Sequence, residues 1–416
     1  MAESLKPRQS AVRILARVLA GGKTVTEAIL EEKDFWEYSD SDKNFIHLLI
    51  LTTLRRLGQI DGVLSKLLKR PLPKKQQTVN HILRLGIAQA LFLNTPAYAV
   101  VNTSVALTKK FHFDGLSGLV NAVLRGLFRL KNPLSGLENP MINLPDWIRK
   151  SWQKAYGKEK TQKMAEAVLT EPPLDISVPD KADFWAQKWN GIVLPTGGVR
   201  VPTSTPDALP DFNQSRCWVQ NAAASVPAQL FTDIRGKEVA DLCAAPGGKT
   251  AQLAYRGAHV TAFDVSEKRA KRLQENMTRL GLDIHIHVAD ILNLTDQEIY
   301  DAVLLDAPCS ATGTLARHPE IKYHRTPDDV TRLAETQKEL LLKAIGLTKK
   351  GGEIVFATCS LEPAEGDEII RSVLDLVEIT KPLDARWQPF LTSFGSLRIL
   401  PLNGFDGFYT CLMRKK

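Results

Sequence analysis

The chain of 416 residues has no run of about 18 uncharged apolar residues, the length a membrane-spanning helix needs. Its richest apolar stretch, residues 45–54, contains His47 and runs into Arg55 and Arg56. The opening Met-Ala-Glu-Ser-Leu-Lys-Pro-Arg has no apolar core of a secretory signal. Cysteine is scarce: Cys217, Cys243, Cys309, Cys359 and Cys411 are odd in number and widely spaced, which is no disulfide framework. Without a Cys-x-x-Cys pair, no structural zinc site is expected. His285 and His287 alternate as two residues on one strand face would, but no third ligand stands close in sequence, so no metal is expected. Internal repeats and low-complexity tracts are also missing. These absences predict a cytoplasmic globular protein with ordinary apolar cores.

The length suggests two or three domains. Net charge is +8, and it is unevenly placed. The first 135 residues hold 20 Lys and Arg against 10 Asp and Glu, while the remainder is slightly acidic. Such asymmetry suits a polyanionic partner, most simply nucleic acid, or else a solvated basic surface without a ligand. Charge alone leaves both open.

Residues 8–30, 45–57, 59–68, 79–93, 100–110 and 116–130 carry apolar positions at helical spacing, and strand alternation is absent there. This predicts an all-α domain over residues 1–138. A connector over 139–213 reads as helices at 145–156 and 158–169, then strand-like pieces around a Gly197-Gly198 turn, a small α/β subdomain. From residue 214 to 416 short apolar runs, at 238–242, 259–263, 284–288, 302–305 and 353–357, alternate with helical stretches such as 267–280 and 328–347. That pattern predicts a mainly parallel sheet covered on both faces.

Each apolar run ends in residues able to do chemistry. After the first comes Cys243-Ala244-Ala245-Pro246-Gly247-Gly248-Lys249-Thr250, a glycine turn into a helix, where the backbone can approach a ligand. Gly-Lys-Thr suggests a phosphate-binding loop, but that motif needs glycine where Cys243 stands. Gly-x-Gly-x-x-Gly is absent as well. The second run ends at Asp264, suited to ribose hydroxyls, and the third at Asp290, suited to an adenine amino group. One acid after a strand is often only a helix cap. Three polar strand ends in register with a glycine loop favour a nucleoside ligand. The fourth run ends in Asp306-Ala307-Pro308-Cys309-Ser310 and the fifth in Thr358-Cys359-Ser360. Neighbouring parallel strands would bring both thiols to one sheet edge. A lone cysteine is usually a small buried apolar residue, the reading given to Cys217, Cys243 and Cys411.

Asp-Ala-Pro-Cys-Ser and Ala-Thr-Cys-Ser after Cys-Ala-Ala-Pro-Gly-Gly-Lys resemble the S-adenosylmethionine-dependent RNA cytosine-C5 methyltransferases. The resemblance extends from about Val219 to the C-terminus and includes Arg317-His318-Pro319-Glu320-Ile321-Lys322 and Asp406-Gly407-Phe408-Tyr409. Segments such as Arg8-Gln-Ser-Ala-Val-Arg-Ile-Leu and Leu119-Val-Asn-Ala-Val-Leu-Arg are similar to the RNA-binding NusB domain. The pairing of the two resembles the RsmB/Fmu/Sun family of bacterial 16S rRNA methyltransferases. The resemblance implies an all-α NusB-like domain followed by an α/β Rossmann-like methyltransferase domain, acting as a monomer on 16S rRNA. It implies Cys359 as nucleophile toward cytosine C6, Cys309 in release of the adduct and Asp306 at the base. S-adenosylmethionine would be held by residues 243–249, Asp264, Asp290 and Asp306. Arg317, His318 and Lys322 become candidate RNA contacts. Two departures stand out: Gln220-Asn221 where the family usually has Gln-Asp, and Ser177-Val178-Pro179 where it usually has Arg-Val-Asn.

The same chemistry on tRNA is the alternative, against which the NusB-like domain argues. A NusB-like binding factor with a dead methyltransferase fold is a third reading, opposed by the intact cysteines, Asp306 and glycine loop. Amino-methylating enzymes use Asn/Asp-Pro-Pro-Tyr/Phe after the fourth strand, which Asp306-Ala307-Pro308-Cys309 does not match.

Overall fold

The computed structural model describes residues 5–203, 205–295 and 298–416. Residues 1–4, part of the opening segment read for a signal core, lie outside the described residues. The chain divides into two compact units, one of residues 1–171 with 315–324, the other of 172–314 with 325–416.

The first unit opens with α1 (Leu5–Gly21) and α2 (Val25–Leu30). One continuous helix was expected over residues 8–30. Gly22 adopts a left-handed φ of +66°, and Thr24 then caps α2 in a reciprocal box with Glu27. α3 (Asp40–Arg55), α4 (Leu57–Leu67), α5 (Gln77–Phe92), α6 (Ala97–Lys110) and α7 (Ser117–Leu127) follow. Their apolar stripes meet in one core that includes Ile14, Leu15, Ile46, Leu49, Ile82 and Leu124.

The unit does not stop near residue 138 as expected. α8 (Asp146–Tyr156) and α9 (Lys158–Val168), assigned from sequence to the connector, belong to it. Segment 137–143 ties them in: Asn143 Oδ1 accepts Gln59 N at 3.1 Å, and Leu137 O accepts Gln59 Nε2 at 3.0 Å. No periodicity signals such an attachment, because backbone and amide groups make it. α4 comes so close that a Cβ on Gly58 would stand 2.1 Å from Ile142 O.

Residues 315–324 also pack in this unit, though they leave the chain between two elements of the other. They include α13 (Ile321–His324). Tyr323 donates its hydroxyl to Leu54 O at 2.8 Å, and Arg55 Nε donates to Ala316 O at 2.9 Å. The buried carboxylate of Glu320 accepts Val25 N at 3.3 Å.

The second unit carries two sheets. The smaller orders its strands β2-β3-β1-β4, with β1 (Leu174–Ser177), β2 (Ile192–Val193), β3 (Val199–Val201) and β4 (Trp218–Val219), all pairs antiparallel. α10 (Ala182–Lys188) packs beside it through Ala186. The larger runs β10-β12-β9-β8-β5-β6-β7. Its parallel members are β5 (Glu238–Leu242), β6 (His259–Asp264), β7 (His285–Val288), β8 (Tyr300–Asp306) and β9 (Thr348–Thr358). β10 (Val377–Ile379), β11 (Leu397–Ile399) and β12 (Phe408–Lys415) complete it, with β12 antiparallel to β9.

The central strands are buried on both faces, as near-continuous apolar runs require. Leu242, Val303, Leu305, Ile354 and Phe356 face the core that α14 (Pro327–Leu347) and α15 (Asp367–Arg371) fill with Leu341 and Ile370. Val239, Leu304, Val355 and Ala357 face the other way, where α11 (Gly248–Tyr255) supplies Leu253. α12 (Glu267–Leu280) closes a further cluster with Leu273 and Met277 against Trp218 and Ala262. No helix among the described residues is long and apolar enough to cross a membrane.

The contact between α4 and segment 137–143 makes a contrast between two glycines. Gly58→Ala drives a methyl into backbone and should cost about 1–3 kcal/mol or more. Gly118→Ala in α7 meets nothing within 4 Å and should be neutral or stabilise by up to about 1 kcal/mol. Denaturant unfolding of the two variants checks this. Equal stability would mean that segment 137–143 does not press on α4.

Candidate active site

The parallel pairing of β8 with β9 builds the centre of the site. Asp306 lies opposite Ala357 in register, and Ala307 N donates to Ala357 O at 2.9 Å just beyond. Both strands then turn at the same edge, which brings Cys309 Sγ to 3.4 Å from Cys359 Sγ. Gly313 N donates to Cys359 O at 2.9 Å, and Gly407 N to Gly313 O at 2.8 Å. A Cβ on Gly313 would fall 2.1 Å from Gly407 O, so only glycine lets these three segments meet. The bond to Cys359 and burial push the Cys309 thiol well above the ordinary range.

Asp306 ends β8, where its Oδ2 accepts Lys249 Nζ at 2.8 Å. The Lys249 ammonium also lies 5.1 Å from the centroid of the Phe408 ring. The ion pair of Lys249 is with Asp306. The glycine loop enters α11 from Gly247, whose φ is +103° and whose Cβ would stand 2.4 Å from Leu273. Cys243 takes a left-handed φ of +63°, and burial pushes its thiol up to about 12, so it offers backbone rather than a thiolate.

Asp264 is buried at the end of β6. Its oxygens accept Ala245 N at 3.2 Å and Ser266 N at 3.0 Å, and Arg269 approaches to 3.3 Å. Asp290 is exposed and caps the turn at 291–293 by accepting Leu292 N at 3.1 Å. A cavity of about 510 Å³ is lined by Trp218, Gln220, Gly247, Lys249, Arg279 and Asp306, among others. Asp306 and the glycine loop line this cavity, and Asp264 and Asp290 are not among its lining residues.

Residues 229–414 match the model of a family described as 16S rRNA methyltransferase RsmB/F, and residues 5–129 match the NusB family. A ribosomal RNA small subunit methyltransferase B from Klebsiella pneumoniae is 32% identical over 397 residues, covering 90% of each chain. The chain belongs to the RsmB/F family. It is an S-adenosylmethionine-dependent methyltransferase with an N-terminal NusB domain. The solved structure of a protein named PH0851 superposes at a TM-score of 0.76, covering 97% of this chain and 98% of that one at 23% identity, a likeness of fold. A methyltransferase homologue from Pyrococcus horikoshii gives 0.56 at 28% identity, covering 68% of this chain and 99% of that one.

The residues present suit the methyl donor of this family. The glycine turn packs its backbone directly on α12, where a Cβ at Gly247 would strike Leu273 and Met277, and it contributes Gly247, Gly248 and Lys249 to the lining of the cavity. Below it, Asp241 is fully buried: its Oδ2 accepts Thr250 Oγ1 at 2.6 Å, and its Oδ1 has no partner among the described residues. The sequence pattern does not single out Asp241. Its burial, the reason an acid there matters, has no local signal. Phe408, Gly313 and Gly407 were likewise not singled out for the contacts they make.

The three candidate RNA contacts separate. His318 is exposed and Arg317 partly so. Lys322 is buried, and its ammonium donates to Arg55 O at 3.1 Å and Asn143 O at 3.0 Å inside the first unit. Burial pulls its pKa down to about 7, and it has no exposed face for a phosphate. The expectation for Lys322 is therefore corrected. A basic residue in a motif reads as solvated until its neighbours in space are known.

The two departures from the family pattern meet in space. Ser177 Oγ donates to Gln220 Oε1 at 2.7 Å, and the neighbouring Asn221 Oδ1 accepts Ala223 N at 2.8 Å.

Burial pushes the Asp241 carboxyl up to about 7. The unfolded chain ionises this acid from about pH 4, the folded chain only near pH 7. Its contribution therefore turns unfavourable as pH rises across that window and levels off above it. Asp241→Asn should leave stability unchanged near pH 4 and raise it by on the order of 2–4 kcal/mol at pH 8. Thermal unfolding of the cofactor-free protein across that range checks this. A pH-independent difference would show that Asp241 keeps its charge.

Proposed function

We propose that this chain methylates C5 of a cytosine in small-subunit rRNA through a transient bond between Cys359 and C6 of the base. The observation that carries the reading is the 3.4 Å approach of two thiols at the sheet edge, beside the Asp306–Lys249 pair. One thiol suffices to attack a base, and a second at this distance suits a separate step. The substrate follows from the relatives' name, ribosomal RNA small subunit methyltransferase B.

Cytosine C5 is a poor nucleophile. Addition of the Cys359 sulfur to C6 makes C5–C6 a single bond and leaves an enamine across C4 and C5, N3 taking up a proton, and C5 of that enamine can attack an electrophile. Asp306, at the end of β8 and held in direction by its ion pair to Lys249, would accept from the exocyclic amine and from N3 once N3 carries its proton. Bound S-adenosylmethionine supplies an electrophilic methyl group on a sulfonium. Residues 243–249 would hold it by backbone approach, with Asp264, Asp290 and Asp306 at successive strand ends taking its polar groups. Release needs loss of the C5 proton, after which the C5–C6 double bond re-forms and Cys359 leaves. Cys309, whose sulfur lies 3.4 Å from that of Cys359, would take the C5 proton as a thiolate after losing its own proton to solvent. The exposed His318 and partly exposed Arg317 suit phosphate contacts.

Cys359→Ser should abolish both methyl transfer and covalent attachment, since a hydroxyl lacks thiolate nucleophilicity at neutral pH. Cys309→Ser should still attack and methylate but stall before release. A protein–RNA adduct that survives denaturing electrophoresis should then accumulate. The reverse pattern would exchange the two roles, and no adduct with either variant would sink the covalent mechanism. Transfer of labelled methyl to 16S rRNA, small subunits and tRNA, followed by nucleotide mapping, tests the substrate. Preference for tRNA would overturn the rRNA assignment.

For the cofactor, Asp264→Ala should weaken S-adenosylmethionine binding by about 1–3 kcal/mol, the loss of a charge-assisted partner. Calorimetry giving unchanged affinity would remove Asp264 from the cofactor site.

A further inference from the structure

Glu365 lies in a short turn, Pro363–Glu365, between β9 and α15, and is fully buried. Its Oε1 accepts Ser310 N at 2.8 Å and Gln337 Nε2 at 2.9 Å. Its Oε2 accepts the hydroxyls of Ser310 and Ser360, the latter at 2.5 Å. Its backbone carbonyl accepts Thr358 Oγ1 at 3.0 Å. Gln337, on α14, also donates to Pro308 O at 2.8 Å.

Cys309 stands between Pro308 and Ser310, and Cys359 between Thr358 and Ser360. All four flanking residues are thus bonded to Glu365 or to the amide that Glu365 holds. A carboxylate suits this place because it only accepts and has about four lone-pair sites, each met here by a donor. Buried without those donors it would be costly, so the carboxylate and the two cysteine turns fix each other.

We propose that Glu365 is the positioning residue that sets the Cys309 and Cys359 sulfurs against each other. It acts through the residues on both sides of each thiol, by backbone groups beside Cys309 and by hydroxyls beside Cys359. The inference rests on the two-thiol reading above and assigns the element that makes the two-thiol arrangement possible.

The test uses full-length protein and phenylarsine oxide. This reagent joins two adjacent thiols through two As–S bonds, its oxygen leaving as water with both thiol protons. The parent should take up one phenylarsenic group bridging Cys309 and Cys359, located by peptide mass spectrometry. Glu365→Ala should weaken that capture at least tenfold and lower kcat at least a hundredfold. S-adenosylmethionine affinity and KM for RNA should stay within about threefold. Glu365→Gln keeps an oxygen for Ser310 N and Gln337, while its amide can donate to hydroxyls that turn to accept. It should restore capture, and kcat to within about tenfold of the parent.

Parent-like capture by Glu365→Ala would overturn the proposal. So would loss of capture together with cofactor affinity, which marks a merely structural role, or a Gln variant no better than Ala. Should Glu365→Ala not fold, Ser360→Ala removes one of the four donors to Glu365, the one beside Cys359, and should weaken capture several-fold; unweakened capture would again overturn it. Because capture needs no RNA, it separates the two readings. Normal capture in a parent that never methylates cytosine C5 removes the proposed function and leaves the positioning role standing.

Discussion

The site depends on one pairing, the parallel ladder between β8 and β9. Parallel strands send their carboxyl ends to the same edge, so whatever follows β8 meets whatever follows β9. The register sets Asp306 against Ala357, and the ladder is prolonged by the bonds from Ala307 and Gly313 to the β9 side. A slip of one residue would turn every side chain to the opposite face and separate the sulfurs. The pairing is held from both sides. Leu305 and Phe356 are buried under α14, and Leu304 and Val355 are buried on the other face. The chemistry at the rim is precise to the extent that these apolar layers leave the strands no freedom.

Around that rim the structure collects acids rather than dispersing them. Asp264 and Asp306 end β6 and β8, Asp241 stands one residue before the end of β5, and Glu365 bonds the cysteine turns. Each meets its burial differently. Asp306 has an ammonium, Asp264 has two backbone N–H groups and Arg269, and Glu365 has four neutral or backbone donors. Asp241 has Thr250 alone and is the acid pushed up to about 7. The upward push at Asp241 follows its deficit of donors: burial that hydrogen bonds do not compensate favours the neutral acid.

Legibility in the sequence followed the range of the interaction. The parallel strands were readable because each is a short apolar run with a polar end, and the helical first third because its period is local. The sites at strand ends were readable for the same reason: Asp264, Asp306, Cys309 and Cys359 are placed by where a strand stops. What could not be read was set by contacts far apart in the chain. α8 and α9 join the first unit through Gln59 and a carbonyl beside Gly58. Lys322 looks like a surface base in its motif, yet its partners are carbonyls at residues 55 and 143. Glu365 lies six residues beyond Cys359, but its meaning comes from Ser310 and Gln337, which no spacing rule connects to it.

The two departures from the family pattern show how such distant contacts absorb change. Gln220 offers one carbonyl oxygen and one amide nitrogen. The oxygen accepts Ser177 Oγ at 2.7 Å and Trp218 Nε1 at 2.9 Å; the nitrogen donates to Gln252 Oε1 at 2.9 Å and Ala224 O at 3.3 Å. Every valence of the amide is used, which fixes which end of it faces which neighbour. Gln220 in turn stands against the glycine loop, where a Cβ on Gly248 would come within 3.2 Å of its nitrogen. The serine in the place of the family's arginine therefore completes the bonding of a residue that walls the loop. Asn221 keeps the one role the structure gives its side-chain oxygen, accepting Ala223 N, with no need of a charge. Both changes remove a formal charge beside the loop, and the second leaves Asn221 Nδ2 buried without a partner among the described residues. They act on the shape and potential of the wall and leave the thiol pair, set by β8, β9 and their turns, outside their reach.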